Sequence, residues 1–250
     1  MAGHNKWSKV KHIKAVVDAK RGKAFSKCSK EITIAAKLGG ANPDMNPRLR
    51  SAINAAKAAN MPNDNIDRAI KKGTGELEGA VPEEILYEAY GPGGIGFLVE
   101  VVTDNRNRSA ADLRSLLNKN NGTFADAGSV SYQFQRRGEI RLPADAALSE
   151  DRATELALES GAEDVQHDGE SWLLFTATDQ LFEVGNALRD LGHEPAGQAL
   201  IYQAANIVEI ADPEQARQVI QLHEILDDYD DTQNVYSNFD ISDEIAASLS

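Results

Sequence analysis

The chain of 250 residues is long enough for two or three modest domains, each with its own core. A net charge of -13 excludes the overall positive coat of a histone-like or ribosomal protein. The single Cys28 excludes an intrachain disulfide, and no stretch is long and apolar enough to span a bilayer.

The average charge hides a division. Residues up to Lys72 hold sixteen Lys and Arg against five acids, a net of +11; the remainder holds ten against thirty-four, a net of -24. A split of that size points to a polyanion-binding arm carried by acidic partner domains. The opening residues lack the apolar core of a signal peptide, because Lys interrupts each short apolar run from Trp7 to Val17. With one cysteine and no Cys/His cluster at zinc spacing, the expected setting is the reducing cytoplasm, without metal or cofactor.

The first elements read as helices. Lys6, Lys9, Lys11, Lys14, Lys20 and Arg21 form a leading basic arm or a further helix. Lys23 to Leu38 has no Pro or internal Gly and stops at Gly39-Gly40. At 100° per residue, Phe25, Cys28, Ile32 and Ala36 fall within roughly an 80° arc, and Lys23, Lys27, Lys30 and Lys37 on the opposite side. One face is expected to pack and the other to be cationic. Asn46-Pro47 announces a second helix carrying Arg48 and Arg50, with Asn as cap and Pro at the first helical position. Met61-Pro62 precedes a third, from Asn63 to Lys72, bearing Arg68, Lys71 and Lys72.

Gly73 to Gly79 has linker composition and coincides with the charge reversal. Beyond it, Ile85 to Tyr90 and Ile95 to Thr103 read as paired strands around Gly91-Pro92-Gly93-Gly94. A helix from Asn107 to Asn120 follows. Ser129 to Gln135 and Glu139 to Leu142 suit strands, Glu150 to Ser160 a helix, Glu163 to His167 and Trp172 to Thr176 strands, Gln180 to Leu191 a helix, and Glu194 to Gln203 an extended segment. From Gly138 to Gln203 the order is β-α-β-β-α-β, a ferredoxin-like unit. A strand at Ile207 to Ile210, a helix from Pro213 to Leu226 and a strand from Asn234 to Phe239 supply pieces missing from the sheet begun at Ile85.

The expected fold class is therefore α+β and multi-domain: an N-terminal three-helix bundle plus two α/β domains of ferredoxin-like type, one inserted in the other. The expected bounds are 1–78, 79–136 with 205–250, and 137–204.

The nucleic-acid-binding candidates are Lys6, Lys9, Lys11, Lys14, Lys20, Arg21, Lys23, Lys27, Lys30, Arg48, Arg50, Arg106 and Arg108. Such a row neutralises phosphates and releases counterions; the alternative is a face that docks on the chain's own acidic domains. Lys outnumbers Arg, which favours phosphate contact over base reading. Trp7 is either a stacking residue or, more in keeping with its type, core with Val10, Ile13 and Val17. Gly91 to Gly96 superficially resembles a phosphate loop, but a strand follows it where such a loop needs a helix, so a tight turn is expected. Asp104 to Arg108 suits either phosphate contact or a helix cap. Asp227, Asp228, Asp230 and Asp231 lack calcium-loop spacing and read as a solvated loop. His4, His12, His167, His193 and His223 are scattered, with no nucleophile beside them in sequence, which argues against an enzyme and a small-molecule substrate.

The opening Met-Ala-Gly-His-Asn-Lys-Trp-Ser-Lys-Val-Lys-His-Ile-Lys resembles the YebC/PmpR family. So do Asp18 to Lys27, Asn46 to Arg50, Met61 to Gly75, Tyr90 to Gly94, Thr103 to Arg108 and Asp231 to Tyr236, in order along nearly the whole chain. The resemblance implies an α-helical N-terminal domain and two α/β domains, one inserted in the other. It further implies a DNA-binding regulator of transcription, or, as in the mitochondrial relative and some bacterial members, a translation factor contacting ribosomal RNA or tRNA. Where the family pattern has Asn-Val-Tyr-His-Asn, this chain has Asn234-Val-Tyr-Ser237-Asn238, and no role for that histidine carries over.

Overall fold

The computed structural model describes residues 19–143, 148–242 and 244–245, with side chains from Gly22 onward. The basic arm at Lys6, Lys9, Lys11 and Lys14, together with Trp7, lies outside the described residues.

Among the described residues the N-terminal bundle holds three helices: α1 (Ala19–Gly39), α2 (Pro47–Ala58) and α3 (Asn63–Gly73). Gly40 takes a left-handed φ of 83°, which ends α1. Asn46 caps α2 by accepting the Leu49 N–H at 3.1 Å. Its buried amide donates to Ala35 O and Gly40 O at 2.8 and 2.9 Å, so one side chain fixes the angle between α1 and α2. The bundle core is built from Ile32, Ala35, Ala36, Leu49, Ala52, Ala56, Met61, Ile66 and Ala69. Alanines and the helical Gly73 let the helices approach closely; a Cβ on Gly73 would strike the Thr33 carbonyl and come within 2.9 Å of Ala36 Cβ.

The second unit is an antiparallel sheet of β1 (Glu83–Tyr90), β2 (Gly96–Thr103), β3 (Thr123–Ala125) and β9 (Thr232–Ser237), in the order β3-β1-β2-β9. Against it pack α4 (Arg106–Lys119) and α7 (Pro213–Asp228), which bury Phe97, Val99, Val101, Leu113, Leu117, Val219 and Leu222 in one core. A two-stranded parallel sheet joins β8 (Val208–Ile210) to β10 (Phe239–Ile241). The central strand β2 pairs with β1, before the insertion, and with β9, after it.

The inserted unit runs β4 (Phe134–Pro143), α5 (Glu150–Ser160), β5 (Asp164–His167), β6 (Ser171–Thr176), α6 (Leu181–Asp190), β7 (Gly197–Ala204). Its sheet order, β5-β6-β4-β7, is the ferredoxin-like arrangement expected from the sequence. Ile140, Leu142, Trp172 and Leu174 pack against Leu156, Leu181, Val184 and Leu188 of the two helices. The fold is α+β, with the insertion and the helical N-terminal region as expected.

Two details differ. Ser129 to Gln135 is not a separate strand: a 3-10 turn at Ser131–Gln133 leads directly into β4, which runs unbroken through Arg136, Arg137 and Gly138. Gly138 does not end the strand; it provides room, because a Cβ there would meet Thr176 Oγ1 and Leu181. The expected strand from Asn234 to Phe239 is divided between β9 and β10, with buried Asn238 between them.

The insertion is tied to its host at Glu100 on β2, which is 6% exposed. It accepts from Arg136 Nη1 of β4 at 2.8 Å, and from Asn234 Nδ2 and Tyr236 OH of β9, both at 2.9 Å. The Arg136 guanidinium also lies over the Tyr202 ring, 4.3 Å from its centroid.

Candidate nucleic-acid interface

Lys23, Lys27 and Lys30 are spaced i, i+4, i+7 and share one face of α1, opposite the bundle core. That face is not open to solvent. Lys23 Nζ lies 2.7 Å from Asp228 Oδ1, Lys27 Nζ 3.0 Å from Asp227 Oδ1, and Lys30 Nζ 2.9 Å from Asp231 Oδ1. Lys27 also donates to Gln233 O at 3.1 Å and Lys30 to Asp230 O at 2.6 Å. Ile34, only 2% exposed, continues the same stripe, and Lys37 ends it by donating to Pro82 O at 3.1 Å.

The expectation of a solvated acidic loop is thus corrected: Asp227, Asp228 and Asp231 are ion-paired to α1. The cause lies in α7. Asp227 and Asp228 stand in its last turn, where the helix dipole already places negative charge, and that turn has no basic residue of its own. The lysines of α1 supply the missing positive charge.

Asp231, 7% exposed, is the inner anchor. Beside Lys30 it accepts from Arg108 Nη2 at 2.8 Å, and its Oδ2 lies 2.8 Å from Ser109 Oγ and 3.1 Å from Thr103 Oγ1. Burial alone would raise its pKa, but the hydrogen bonds from Lys30, Arg108 and Ser109 outweigh burial and hold it well below the usual carboxylate range. Arg108 also reaches Asp104 Oδ1 at 3.1 Å, and its pKa is raised first by the hydrogen bond to Asp231. The cap of α4 is Asn105, whose side chain accepts the Arg108 N–H at 3.1 Å, and not Asp104.

The other candidates separate. Arg48 forms a two-point pair with Glu31 at 2.7 and 3.0 Å and meets Glu84 at 3.0 Å. Burial would lower its pKa, but hydrogen bonds to Glu31 and Glu84 raise it. Arg50 is half-buried, without an ion-pair partner among the described residues, and Arg106 is exposed at the start of α4. Lys20 and Arg21 lie in α1. The structure therefore brings Lys23, Lys27, Lys30 and Arg108 around one acidic segment, and leaves Arg48, Arg50 and Arg106 apart from it.

Gly91 to Gly94 is a tight turn between β1 and β2, with Gly93 and Gly94 at φ of 73° and 78°. Asn238, from the segment where the chain departs from the family pattern, is buried; it accepts Gly96 N–H at 2.8 Å and donates to Gln133 Oε1 at 2.6 Å. The sequence carries no local signal for that role, because Asn238 falls within the expected strand from Asn234 to Phe239. Among the described residues no group of three or more His, Cys, Asp or Glu is placed to hold a metal ion. No helix among them is long and apolar enough to cross a membrane.

Comparison with known proteins gives a consistent result. Residues 5–76 match the TACO1/YebC protein N-terminal domain, and residues 82–239 match the TACO1/YebC second and third domain. The chain is 54% identical to a "Probable transcriptional regulatory protein" of Akkermansia muciniphila and 48% identical to one of Dictyoglomus thermophilum, with all of each chain covered. The crystal structure of a conserved hypothetical protein from Aquifex aeolicus superposes with a TM-score of 0.87 at 47% identity, covering 93% of this chain and 95% of that one. The chain belongs to the TACO1/YebC family.

Proposed function

We propose that this chain is a non-enzymatic, cytoplasmic regulator of transcription that binds DNA through its N-terminal helical unit, residues 1–78. The observation that carries the reading is the division of charge, +11 up to Lys72 against -24 beyond it. A segment so basic is attracted to phosphate backbones, and its lysines act as point charges that position the chain on a duplex without reading bases. The names of the relatives in Akkermansia muciniphila and Dictyoglomus thermophilum, probable transcriptional regulatory proteins, support the regulatory role. The arm at Lys6, Lys9, Lys11 and Lys14, continued by Lys20 and Arg21, makes the first phosphate contacts in this reading. The reading invokes no metal, cofactor, membrane or small-molecule substrate.

In-cell crosslinking with sequencing of both DNA and RNA tests the target. Enrichment of promoter DNA is the expected result. Recovery of ribosomal RNA or tRNA without promoter enrichment would replace transcription by translation as the regulated step.

A further inference from the structure

The lysine row of α1, which by its chemistry suits a polyanion, is already filled by carboxylates of the same chain. We infer that the segment Asp227 to Asp231 is an internal competitor for nucleic acid, and that binding displaces its outer two carboxylates, Asp227 and Asp228, while the inner end of the contact stays docked. The inference rests on the proposed nucleic-acid binding and adds a gate to it.

The row suits phosphates in spacing as well as charge. Four residues of helix separate Lys23 from Lys27, the two lysines that binding frees, about 6 Å, over which one strand of B-DNA presents about two phosphates. Asp228 and Asp227 meet the same two lysines one for one. A carboxylate occupies one of the three donors of each ammonium and neutralises its charge, and a phosphate brought to the same cation is repelled by the carboxylate, so the two anions compete for it.

The contact is graded along α1. At its outer end the Asp228 side chain is 78% exposed, so its pair with Lys23 is weak and screened by salt. At its inner end the Asp231 side chain is 10% exposed and also bonded to Arg108, and Ile34 is buried two turns beyond Lys27. Opening the Lys23–Lys27 end exposes no apolar surface of Ile34 and leaves the bonds of Asp231 intact. Phosphates arriving together on a strand displace both outer aspartates: Asp228 returns to water at little cost because it was never far from it, and Asp227, one-third exposed, follows from the same helix end. A mononucleotide lacks that multiplicity and does not open the contact.

The test uses the full chain and a short DNA duplex at low salt. The variant Asp227→Asn/Asp228→Asn removes the competing charge. The control Asp179→Asn/Asp190→Asn removes two exposed charges at the ends of α6, away from α1. The expected outcome is binding about fivefold tighter for the first variant and nearly unchanged for the control. Equal tightening in both reduces the effect to net charge and overturns the competitor; so does unchanged or weaker binding by the first variant alone. Absence of binding in wild type and both variants overturns the nucleic-acid reading itself. Amide exchange on the wild type provides a second readout: duplex should speed exchange at 228–230 and leave Thr33 to Ala36 slow, whereas slower exchange at 228–230 would show the carboxylates still seated and overturn displacement.

Discussion

Lys30 Nζ lies 2.9 Å from Asp231 Oδ1, across 201 residues of chain, and this pair fastens the first helix to the turn between α7 and β9. Arg108, Ser109 and Thr103 converge on the other oxygen of the same carboxylate, so one buried anion joins α1, β2, α4 and the turn. Asp231→Asn keeps the shape and removes the charge, and should cost about 2–4 kcal/mol, read as a lower Tm in thermal unfolding. The pH dependence follows from the depressed pKa. A carboxylate whose folded value lies below its unfolded value contributes fully above about pH 4 and loses that contribution as pH falls toward the folded value. The Tm gap between wild type and Asp231→Asn should therefore be constant near neutral pH and shrink below about pH 4; a gap that widens in acid would contradict the assignment.

Neutralising the outer lysines should affect binding more than folding. Lys23→Gln/Lys27→Gln removes two exposed or half-exposed pairs, with an expected stability loss of under about 1 kcal/mol. The salt slope of duplex binding should become shallower by about 2, one phosphate for each lysine. An unchanged slope would show that these two side chains never contact the backbone.

Glu100 is expected to act as a unit with its partners. Glu100→Gln leaves Arg136, Asn234 and Tyr236 facing a neutral amide, and should lower stability by about 2–4 kcal/mol. In a double-mutant cycle with Arg136→Met, the combined loss should fall short of the sum of the single losses by more than about 0.5 kcal/mol. Additive losses in denaturant unfolding would mean that the pair does not couple the insertion to its host.

Two glycines of the bundle should respond in opposite directions. Gly73→Ala forces a Cβ against the Thr33 carbonyl and Ala36, at a cost of about 1–3 kcal/mol. Gly22→Ala meets nothing within 4 Å among the described residues and should stabilise α1 by up to about 1 kcal/mol. Thermal unfolding of both variants distinguishes close packing from helix propensity.

The order of elements was legible because each has a local cause. Asn46 before Pro47 caps α2 as its type suggests, and the alternation of strands with helices beyond Gly138 encodes the inserted unit. What was not legible depends on distant partners. Arg136-Arg137-Gly138 falls in the gap between two expected strands, and its place inside β4 becomes clear only when Glu100, Phe175 and Thr176 are set around it. The charge division raises docking of the lysine face on the chain's own acidic domains as an alternative to phosphate binding, but does not name the acids; the C-terminal end of α7 and the turn after it supply them. One residue carried a signal: Ile34 lies in the lysine stripe, where a helix with one side free to solvent has no use for isoleucine, and its burial marks the second packed face. The acidic run at 227–231 gave no such sign, because ion pairing across 200 residues leaves no pattern in local spacing.

The most direct test of the central claim, that the N-terminal unit holds nucleic acid by its phosphates, is the affinity of the full chain for duplex DNA at stepped salt concentrations. With about five phosphates engaged, log affinity against log salt should fall with a slope near -4 to -5. A flat response would contradict the claim.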